Sequence, residues 1–373
     1  MAVARRGLEV EHQTTGSSGA GRSDTKEKVV TIRLSRRTLI KSSAIVGSGL
    51  VVGRYYVGPA HAAPPPLAKK DSYTIGFAQT GSTNPWRLAE TASMKDQFET
   101  KLGWKLIATD ANEQTDKQLA DIDSIIAQKP DIFIFPPRES KALAPAVLKM
   151  KQAGIPVILI DRDVDHDVAK PGEDYVTFIG SDFVQQGMQA AKWLTEAMKG
   201  QAKIIELEGT TGADPAIDRK KGFDDYIAGT FKGTPTAEGP QGGMQILASQ
   251  DGNFLRDTGR KVMETLLQAH PDVNAVYAHN DEMAIGAIAA LEAAGRKPGQ
   301  DITLVSIDGE NAAMDAIVEG KLGASVESSP FFGPISYETM MKYVNGEDIP
   351  DWVVVKDRFF DKSNAKDFQG KQF

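Results

Sequence analysis

From Tyr73 onward, short apolar runs rich in β-branched residues alternate with longer segments in which apolar residues recur every three or four positions. The runs lie at 73–78, 105–108, 131–135, 156–160, 176–179, 203–207, 275–278 and 302–307, and the clearest helical segments at 118–128, 141–153, 187–198, 254–269 and 284–294. Strands buried on both faces that alternate with helices predict a parallel α/β sheet. About ten runs are too many for one ordinary sheet, so the pattern favours two similar doubly wound α/β domains.

Polar residues follow several of these predicted strands. The segments concerned are 79–87 after the first strand, 161–162 after the fourth, and 209–212, 278–281 and 306–309 later in the chain. Because ligands bind beyond the carboxyl ends of the strands in open parallel sheets, we expect these side chains to surround a binding site.

The side chains at these ends suit a neutral, polyhydroxylated ligand. A sugar hydroxyl both donates and accepts, so Asp, Asn and Arg can satisfy it with charge-assisted bonds. An aromatic face such as Trp86 or Phe254 can pack on the C–H face of a sugar ring. Each residue alone also has a structural interpretation, because Asp after a strand is often a helix N-cap and a single Trp usually lies in the core.

The first 62 residues form a separate region. Residues 1–34 are polar and without apolar periodicity, which predicts disorder. Arg36 and Arg37 precede a mildly apolar run at 42–57, which ends in an Ala-His-Ala site, so we expect a twin-arginine export signal, cleavage after Ala62 and a periplasmic protein. A transmembrane helix is the alternative, but it needs roughly 20 apolar residues, and Arg54 interrupts this run.

Composition excludes several other functions. The chain has no Cys, which rules out disulfides, thiol nucleophiles and Cys-ligated metals. Without residues 1–62, 33 Lys and Arg stand against 46 Asp and Glu, a net charge of −13. A surface of that sign disfavours nucleic-acid and membrane-surface partners.

No metal site or cofactor is predicted. Asp recurs at every second position from 161 to 167, as in a calcium loop, but His166 and Gly172 stand where an EF-hand needs Gly and Glu. His166 and His279 have no partner at metal-ligand spacing. We therefore expect a solvated loop after Asp161. Lys220 and Lys221, which follow Arg219, are expected on the exposed face of a helix.

Catalysis and DNA binding are the rival functions. The chain has no G-x-S-x-G or H-E-x-x-H motif, and no G-K followed by Ser or Thr. A glycosidase could use Asp161 and Asp308, but both would lie beside arginines, which lower carboxyl pKa values and leave no proton donor. We therefore expect no enzyme. A sugar-responsive repressor would carry an N-terminal helix-turn-helix, which residues 1–70 do not offer.

Six segments, taken in order, resemble the sugar-binding proteins of ABC transporters, in the ribose and galactofuranose group of type I periplasmic binding proteins. They are 84–87 (Asn-Pro-Trp-Arg), 159–162, 217–223, 277–288, 306–309 and 324–327. The resemblance covers nearly all of the chain from Tyr73 to about Phe360. The segments around Arg219 and Asn280 carry it most strongly, and 86–87 with 217–223 is most similar to the galactofuranose branch.

The resemblance implies two α/β lobes joined by a three-strand hinge, with a monosaccharide in the cleft between them. The first lobe would comprise 73–181 and 329–356, and the second 182–328 and 357–373. The implied ligand contacts are Asn84, Trp86, Arg87, Asp161, Arg162, Arg219, Phe254, Asn280, Asp308, and Glu327 or Ser328. The implied partners are a permease and its cytoplasmic ATPase, with presentation of sugar to a receptor as the alternative, and we expect a monomer.

One segment departs from the ribose-binding pattern. That pattern has Asn-Pro after the third strand, whereas this chain has Pro136, Pro137 and Arg138. Proline has no side-chain donor, so one ribose contact is lost, and Arg138 or Glu139 is expected to take its place.

Overall fold

The computed structural model describes residues 63–230 and 243–373. The predicted leader, the twin-arginine signal and the cleavage site after Ala62 lie outside the described residues. In the described ranges, no helix is long and apolar enough to cross a lipid bilayer.

In the part of the chain that the structure describes, twelve strands form two six-stranded sheets. The first sheet has the order β11-β5-β4-β3-β1-β2 and is parallel throughout. The second has the order β12-β10-β9-β8-β6-β7 and is parallel except for β12, which runs antiparallel to β10. The strands are β1 (Thr74–Gln79), β2 (Lys105–Asp110), β3 (Ile132–Phe135), β4 (Val157–Ile160), β5 (Thr177–Ser181), β6 (Ala202–Glu208), β7 (Met244–Asp251), β8 (Ala275–Ala278), β9 (Thr303–Asp308), β10 (Ala324–Glu327), β11 (Trp352–Val355) and β12 (Phe359–Asp361). The predicted fold class is therefore confirmed.

Helices connect the strands and cover the sheets. They are α1 (Pro85–Lys95), which continues into a π-helical turn (Asp96–Lys101), α2 (Thr115–Ala127), α3 (Ser140–Gln152), α4 (Phe183–Ala197), α5 (Asp214–Ile227), α6 (Arg256–Ala269), α7 (Asp281–Ala293), α8 (Asn311–Val318), α9 (Phe332–Asn345) and α10 (Ala365–Phe368). Strands such as β3 and β4 are buried at every residue, because helices pack on both faces of the sheet.

The chain passes between the two sheets at three places. It leaves the first sheet after β5, returns to it between β10 and β11, and leaves it again between β11 and β12. Ser181, Glu327 and Asp357 lie at these three crossings.

Two glycines allow α4 and α5 to pack closely. A Cβ at Gly187 would lie 2.0 Å from the carbonyl oxygen of Arg219, and one at Gly222 would lie 1.9 Å from that of Val184. Each helix therefore uses a glycine to approach the backbone of the other, which fixes the position of Arg219 on α5.

The folded part begins before the first apolar run at Tyr73. Leu67 is already buried in the core beside the first sheet. The hydroxyl of Tyr343 also donates to the carbonyls of Pro64 and Pro65, at 3.0 and 2.8 Å.

Candidate functional site

A small cavity of about 30 Å³ lies at the carboxyl ends of strands from both sheets. Nine of the ten predicted ligand contacts line it, namely Asn84, Trp86, Arg87, Asp161, Arg162, Arg219, Phe254, Asn280 and Asp308. Pro215 and Ser328 complete the lining. A larger groove, bordered by Asp182, Phe183 and Trp352, contains none of the predicted residues. The polar strand ends thus converge on one small site.

Glu327, the tenth predicted contact, does not line the cavity. Its carboxylate accepts hydrogen bonds from the backbone N–H of Arg358 at 2.8 Å, from Nε at 2.7 Å and from Nη2. Ser328, its alternative, borders the cavity. The structure places Glu327 at a crossing between the sheets, where its charge is paired.

The elements of the two sheets touch around the cavity. The backbone N–H of Ser140 on α3 donates to the carbonyl of Gly212 at 2.9 Å. The N–H of Asp163 donates to Oδ2 of Asp214 at the start of α5, also at 2.9 Å. These bonds join the two sides, so the structure is closed over the cavity.

Arg87 is held between two carboxylates. Its Nη1 donates to Glu90 Oε2 at 2.7 Å, and its Nη2 to Asp161 Oδ2 at 2.6 Å. Burial alone would lower the pKa of Arg87, but Asp161 and Glu90 outweigh burial and raise that pKa. The guanidinium is therefore a fixed, charged donor at the cavity.

Glu90 is a site residue that the sequence analysis missed. It is fully buried behind Arg87, and its Oε2 also accepts a bond from Gln79 Nε2 at 2.8 Å. Burial, with a smaller contribution from Asp161, raises the pKa of Glu90 to about 7, although Arg87 and Gln79 act in the opposite direction. The only sequence signal is its position three residues after Arg87 on a helix, which brings the two side chains together.

Arg162 also lies beside Asp161, with its Nε 3.5 Å from Asp161 Oδ2. Its Nη1 donates to the carbonyl of Arg138 at 2.8 Å, and its guanidinium lies 5.5 Å from the centre of the Phe254 ring. Burial and the nearby charge of Arg87 lower the pKa of Arg162 to about 10. It nevertheless remains a cation at neutral pH.

Arg219 connects the cavity to the second sheet. Its Nε donates to Gln186 Oε1 at 2.9 Å, its Nη1 to the carbonyl of His279 at 2.6 Å, and its Nη2 lies 3.5 Å from Asp308 Oδ1. Burial raises the pKa of Asp308 well above its ordinary value, while Arg219 acts to lower it. Arg219 and Asp308 thus form a second donor–acceptor pair.

Three residues at the cavity have left-handed backbones, which L-amino acids rarely adopt. The φ angles are 59° at Asp161, 57° at Phe254 and 134° at Asp308. Such conformations persist only where surrounding contacts impose them, and they concentrate at functional sites. Here they aim two carboxylates and one ring at the cavity.

Asp281 holds the backbone that follows Asp308. Its Oδ2 accepts from the N–H groups of Gly309 and Glu310, at 2.7 and 2.8 Å. Its Oδ1 accepts from Ser306 and, at 2.8 Å, from Ser325. This buried carboxylate joins β9 and β10 and supports the unusual conformation of Asp308.

The two predicted aromatic residues are held from behind. Trp86 donates from Nε1 to the carbonyl of Ser328 at 2.7 Å, and its ring lies 4.5 Å from the Arg87 guanidinium. Phe254 packs over Gly209 so closely that a Cβ there would lie 1.9 Å from the ring. Both rings can therefore present a fixed apolar surface.

Asn84 and Asn280 both line the cavity and cap helices. Asn84 Oδ1 accepts from the N–H of Arg87 at 2.8 Å, and Asn280 Oδ1 from that of Met283 at 3.0 Å. These two residues are therefore helix N-caps and also line the cavity. In addition, Asn280 Nδ2 donates to the carbonyl of Phe254 at 3.2 Å.

The segment after the third strand does not reach the cavity. Arg138 is buried, and its Nη2 lies 3.4 Å from Asn253 Oδ1 on the other side of the cleft. Glu139 accepts a bond from Thr115 Oγ1. Neither residue lines the cavity, so the structure does not place the expected substitute contact there.

Lys220 and His279 belong to a buried network behind the site. Lys220 was expected on an exposed helix face, but its Nζ lies 2.5 Å from Oε2 of the fully buried Glu206. The other oxygen of Glu206 lies 3.1 Å from His279 Nε2. Burial would raise the pKa of Glu206, but His279 and Lys220 lower it to about 2.

The cavity offers alternating donors and acceptors. Within the described part of the chain, Asp161 Oδ1 and Asp308 Oδ2 accept no hydrogen bond from protein groups, and Arg162 Nη2 donates none. Residues 63–230 and 243–373 contain no group of three or more His, Cys, Asp or Glu side chains suited to a metal ion. The arrangement suits hydroxyl groups, which donate to a carboxylate and accept from a guanidinium.

Comparison with known proteins gives consistent matches. Residues 75–348 match the periplasmic binding protein domain family. The chain is 36% identical over 299 residues to the galactofuranose-binding protein YtfQ of Escherichia coli (strain K12), covering 79% of this chain and 89% of the relative.

Two solved structures are similar in both fold and sequence. One is the periplasmic binding protein of the arabinose ABC transporter from Shewanella sp. ANA-3, bound to alpha and beta-L-arabinofuranose, with a TM-score of 0.73, 34% identity and coverage of 80% of this chain and 95% of that one. The other is a Mycobacterium smegmatis protein in complex with beta-D-fucofuranose, with a TM-score of 0.71, 40% identity and coverage of 80% and 94%.

Proposed function

Because the chain belongs to the periplasmic binding protein family, we propose that it binds a monosaccharide in the furanose ring form and delivers it to an ABC importer. The observation that carries this proposal is the convergence of nine predicted polar and aromatic residues on one cavity. Membership in this family agrees with the expectation of a binding protein rather than an enzyme. The glycosidase alternative is therefore set aside.

The donor and acceptor groups around the cavity suit the hydroxyls of a neutral ligand. Three guanidinium groups, those of Arg87, Arg162 and Arg219, stand beside three carboxyl groups, those of Asp161, Asp308 and the underlying Glu90. Burial raises the pKa values of Glu90 and Asp308. Hydroxyl groups both donate and accept, so they can bond a carboxyl group in either protonation state as well as a guanidinium.

The cavity of about 30 Å³ is far smaller than the roughly 300 to 1,000 Å³ of small-molecule sites, so the side chains around it must move apart to admit a sugar ring. The furanose form is favoured because YtfQ and the two similar structures are named for, or hold, furanoses.

The remaining parts of the function follow from the same proposal. The lobes comprise 73–181 with 329–356 and 182–328 with 357–373, and they close over the sugar. Export depends on Arg36 and Arg37, with cleavage after Ala62 and release into the periplasm. The closed monomer is recognised by a permease with a cytoplasmic ATPase.

Thermal unfolding with a sugar panel tests this proposal. The chain from residue 63 onward is heated with galactose, arabinose, fucose, ribose, and 1,4- and 1,5-anhydro alditols, which are locked as five- and six-membered rings. A ligand at a hundred times its Kd adds about 2.7 kcal/mol of stability, which raises the midpoint by several degrees. A larger shift with five-membered rings is expected. A shift with six-membered rings alone contradicts the furanose form, and no shift with any sugar contradicts the sugar ligand.

A further inference from the structure

Gln186, on α4, makes a set of contacts that the proposed site does not explain. Its side chain is fully buried, and each of its polar atoms is bonded to protein. Oε1 accepts from Arg219 Nε at 2.9 Å. Nε2 donates to the carbonyl of Glu327 at 3.1 Å and to Asp357 Oδ2 at 2.8 Å.

These partners lie at the three places where the chain passes between the sheets. Glu327 ends β10, and Asp357 lies between β11 and β12. The other carboxylate oxygen of Asp357 accepts from Ser181 Oγ, at the end of β5, at 2.8 Å. One amide and one carboxylate thus join all three crossings to each other.

The same amide holds a residue of the cavity. With Nε bonded to Gln186, the guanidinium of Arg219 is turned so that Nη1 reaches the carbonyl of His279 and Nη2 faces Asp308. An amide that makes three bonds in fixed directions transmits a shift of any one partner to the others.

We propose that Gln186 is a positioning residue that couples Arg219, and hence the ligand, to the three crossings between the sheets. This inference rests on the proposed function, because it identifies how that site communicates with the hinge. When the sheets move apart, the crossings turn, Gln186 loses its bonds to Glu327 and Asp357, and Arg219 leaves the orientation that suits the ligand.

An exchange of donor and acceptor tests the coupling. Gln186→Glu keeps an oxygen for Arg219 Nε but places a second carboxylate against Asp357. In the double variant Gln186→Glu with Asp357→Asn, the new amide donates back to residue 186, so the bond to residue 357 is restored with its polarity reversed, while the carbonyl of Glu327 remains without its donor. Asp357→Asn alone keeps Gln186 unchanged and provides a folded comparison.

Two measurements distinguish positioning from general stabilisation. The first is the Kd of the sugar identified by thermal unfolding. The second is the separation of the two sides, measured by pulsed electron paramagnetic resonance between spin labels at Ser124→Cys on α2 and Gln268→Cys on α6. The natural chain has no Cys, so these labels are specific.

We expect Gln186→Glu to raise Kd at least tenfold and to lengthen the label distance with and without sugar, and the double variant to recover most of both changes. An unchanged Kd and distance, with only a lower unfolding temperature, would overturn the inference. A double variant that recovers nothing would do the same. If the parent binds no sugar, the proposed function fails, while the distances in unliganded protein still decide the coupling.

Discussion

Glu90 lies directly behind Arg87 and leaves one carboxylate oxygen without a partner. Oε2 accepts the bonds from Arg87 and Gln79, whereas Oε1 is buried and makes no hydrogen bond among the described residues. A buried oxygen of this kind is most stable when it carries a proton. The site therefore contains a carboxyl group whose protonation changes near neutral pH.

The first prediction concerns the stability of Glu90→Gln. The pKa of Glu90, raised mainly by burial to about 7 in the folded protein, exceeds its ordinary unfolded value. Its protonation therefore stabilises the fold fully below about pH 4.5, and this contribution is lost as pH rises through 7. The unfolding free energy is measured in urea at pH 8 and at pH 5. From pH 8 to pH 5, that of the parent should rise by on the order of 2 kcal/mol more than that of Glu90→Gln.

The exposed Glu99→Gln, in the π-helical turn that follows α1, is the control for this experiment and should follow the parent. If Glu90→Gln showed the parent's pH dependence, the carboxyl group of Glu90 would not titrate in this range.

A second prediction concerns Arg219→Ala. Removing the guanidinium leaves Asp308, Gln186 and a ligand hydroxyl without a partner, which costs about 2 to 3 kcal/mol of affinity, or roughly 30- to 150-fold in Kd. Isothermal titration calorimetry measures this change. Arg260→Ala, which removes an exposed ion pair with Glu264, should leave Kd unaltered. An unchanged Kd in Arg219→Ala would remove Arg219 from the binding site.

A third prediction uses Gly209→Ala. The new methyl group occupies the space of the Phe254 ring and displaces the ring from the cavity. We expect Kd to rise by about tenfold, the value of one aromatic contact. In a Phe254→Leu background the same change should have little further effect, because the ring that it displaces is absent. Additive effects on Kd would show that Gly209 acts on another part of the site.

The fourth prediction concerns Asp281→Asn. Both carboxylate oxygens of Asp281 accept hydrogen bonds, and an amide NH₂ in place of one of them cannot accept. The buried hydroxyls of Ser306 and Ser325, or the N–H of Gly309, would therefore lose their acceptor. Unfolding free energy should fall by roughly 2 to 4 kcal/mol, and sugar affinity should fall with it because Asp308 is no longer held. The exposed Asp96→Asn should do neither. A variant as stable as the parent would contradict this role.

The fifth prediction concerns export. Changing Arg36 and Arg37 to Lys keeps the charge but removes the paired arginines, so the protein should accumulate unprocessed in the cytoplasm. Cell fractionation with immunoblotting measures this directly. Changing Arg5 and Arg6 to Lys is the matched control. Normal export of the first variant would eliminate the twin-arginine route.

Much of this architecture was predictable because the buried strands are continuous apolar runs. β7 was missed because only its first residue is fully buried and three of its eight residues are exposed, so Met244–Asp251 contains no continuous buried run. The strand ends identified the cavity for a similar reason, since parallel strands bring their carboxyl ends together whatever the loop lengths.

The remaining errors concern residues whose partners are distant in sequence. Glu327 pairs with Arg358, and Lys220 with Glu206, and neither pairing has a fixed spacing that a sequence pattern reveals. Glu90 was missed because a carboxylate on an amphipathic helix is normally exposed, whereas here it is buried beside Arg87 and Gln79. The left-handed backbone of Asp308 depends on Asp281, 27 positions earlier in the chain.

The left-handed backbones at Asp161, Phe254 and Asp308 also affect how this protein can evolve. At each position glycine would relieve the backbone strain, yet it would delete a side chain that its neighbours contact: Asp161 pairs with Arg87, the Phe254 ring is buried in the core, and Asp308 faces Arg219. Selection for heat resistance and selection for growth on the transported solute should therefore both disfavour glycine at these positions in a variant library.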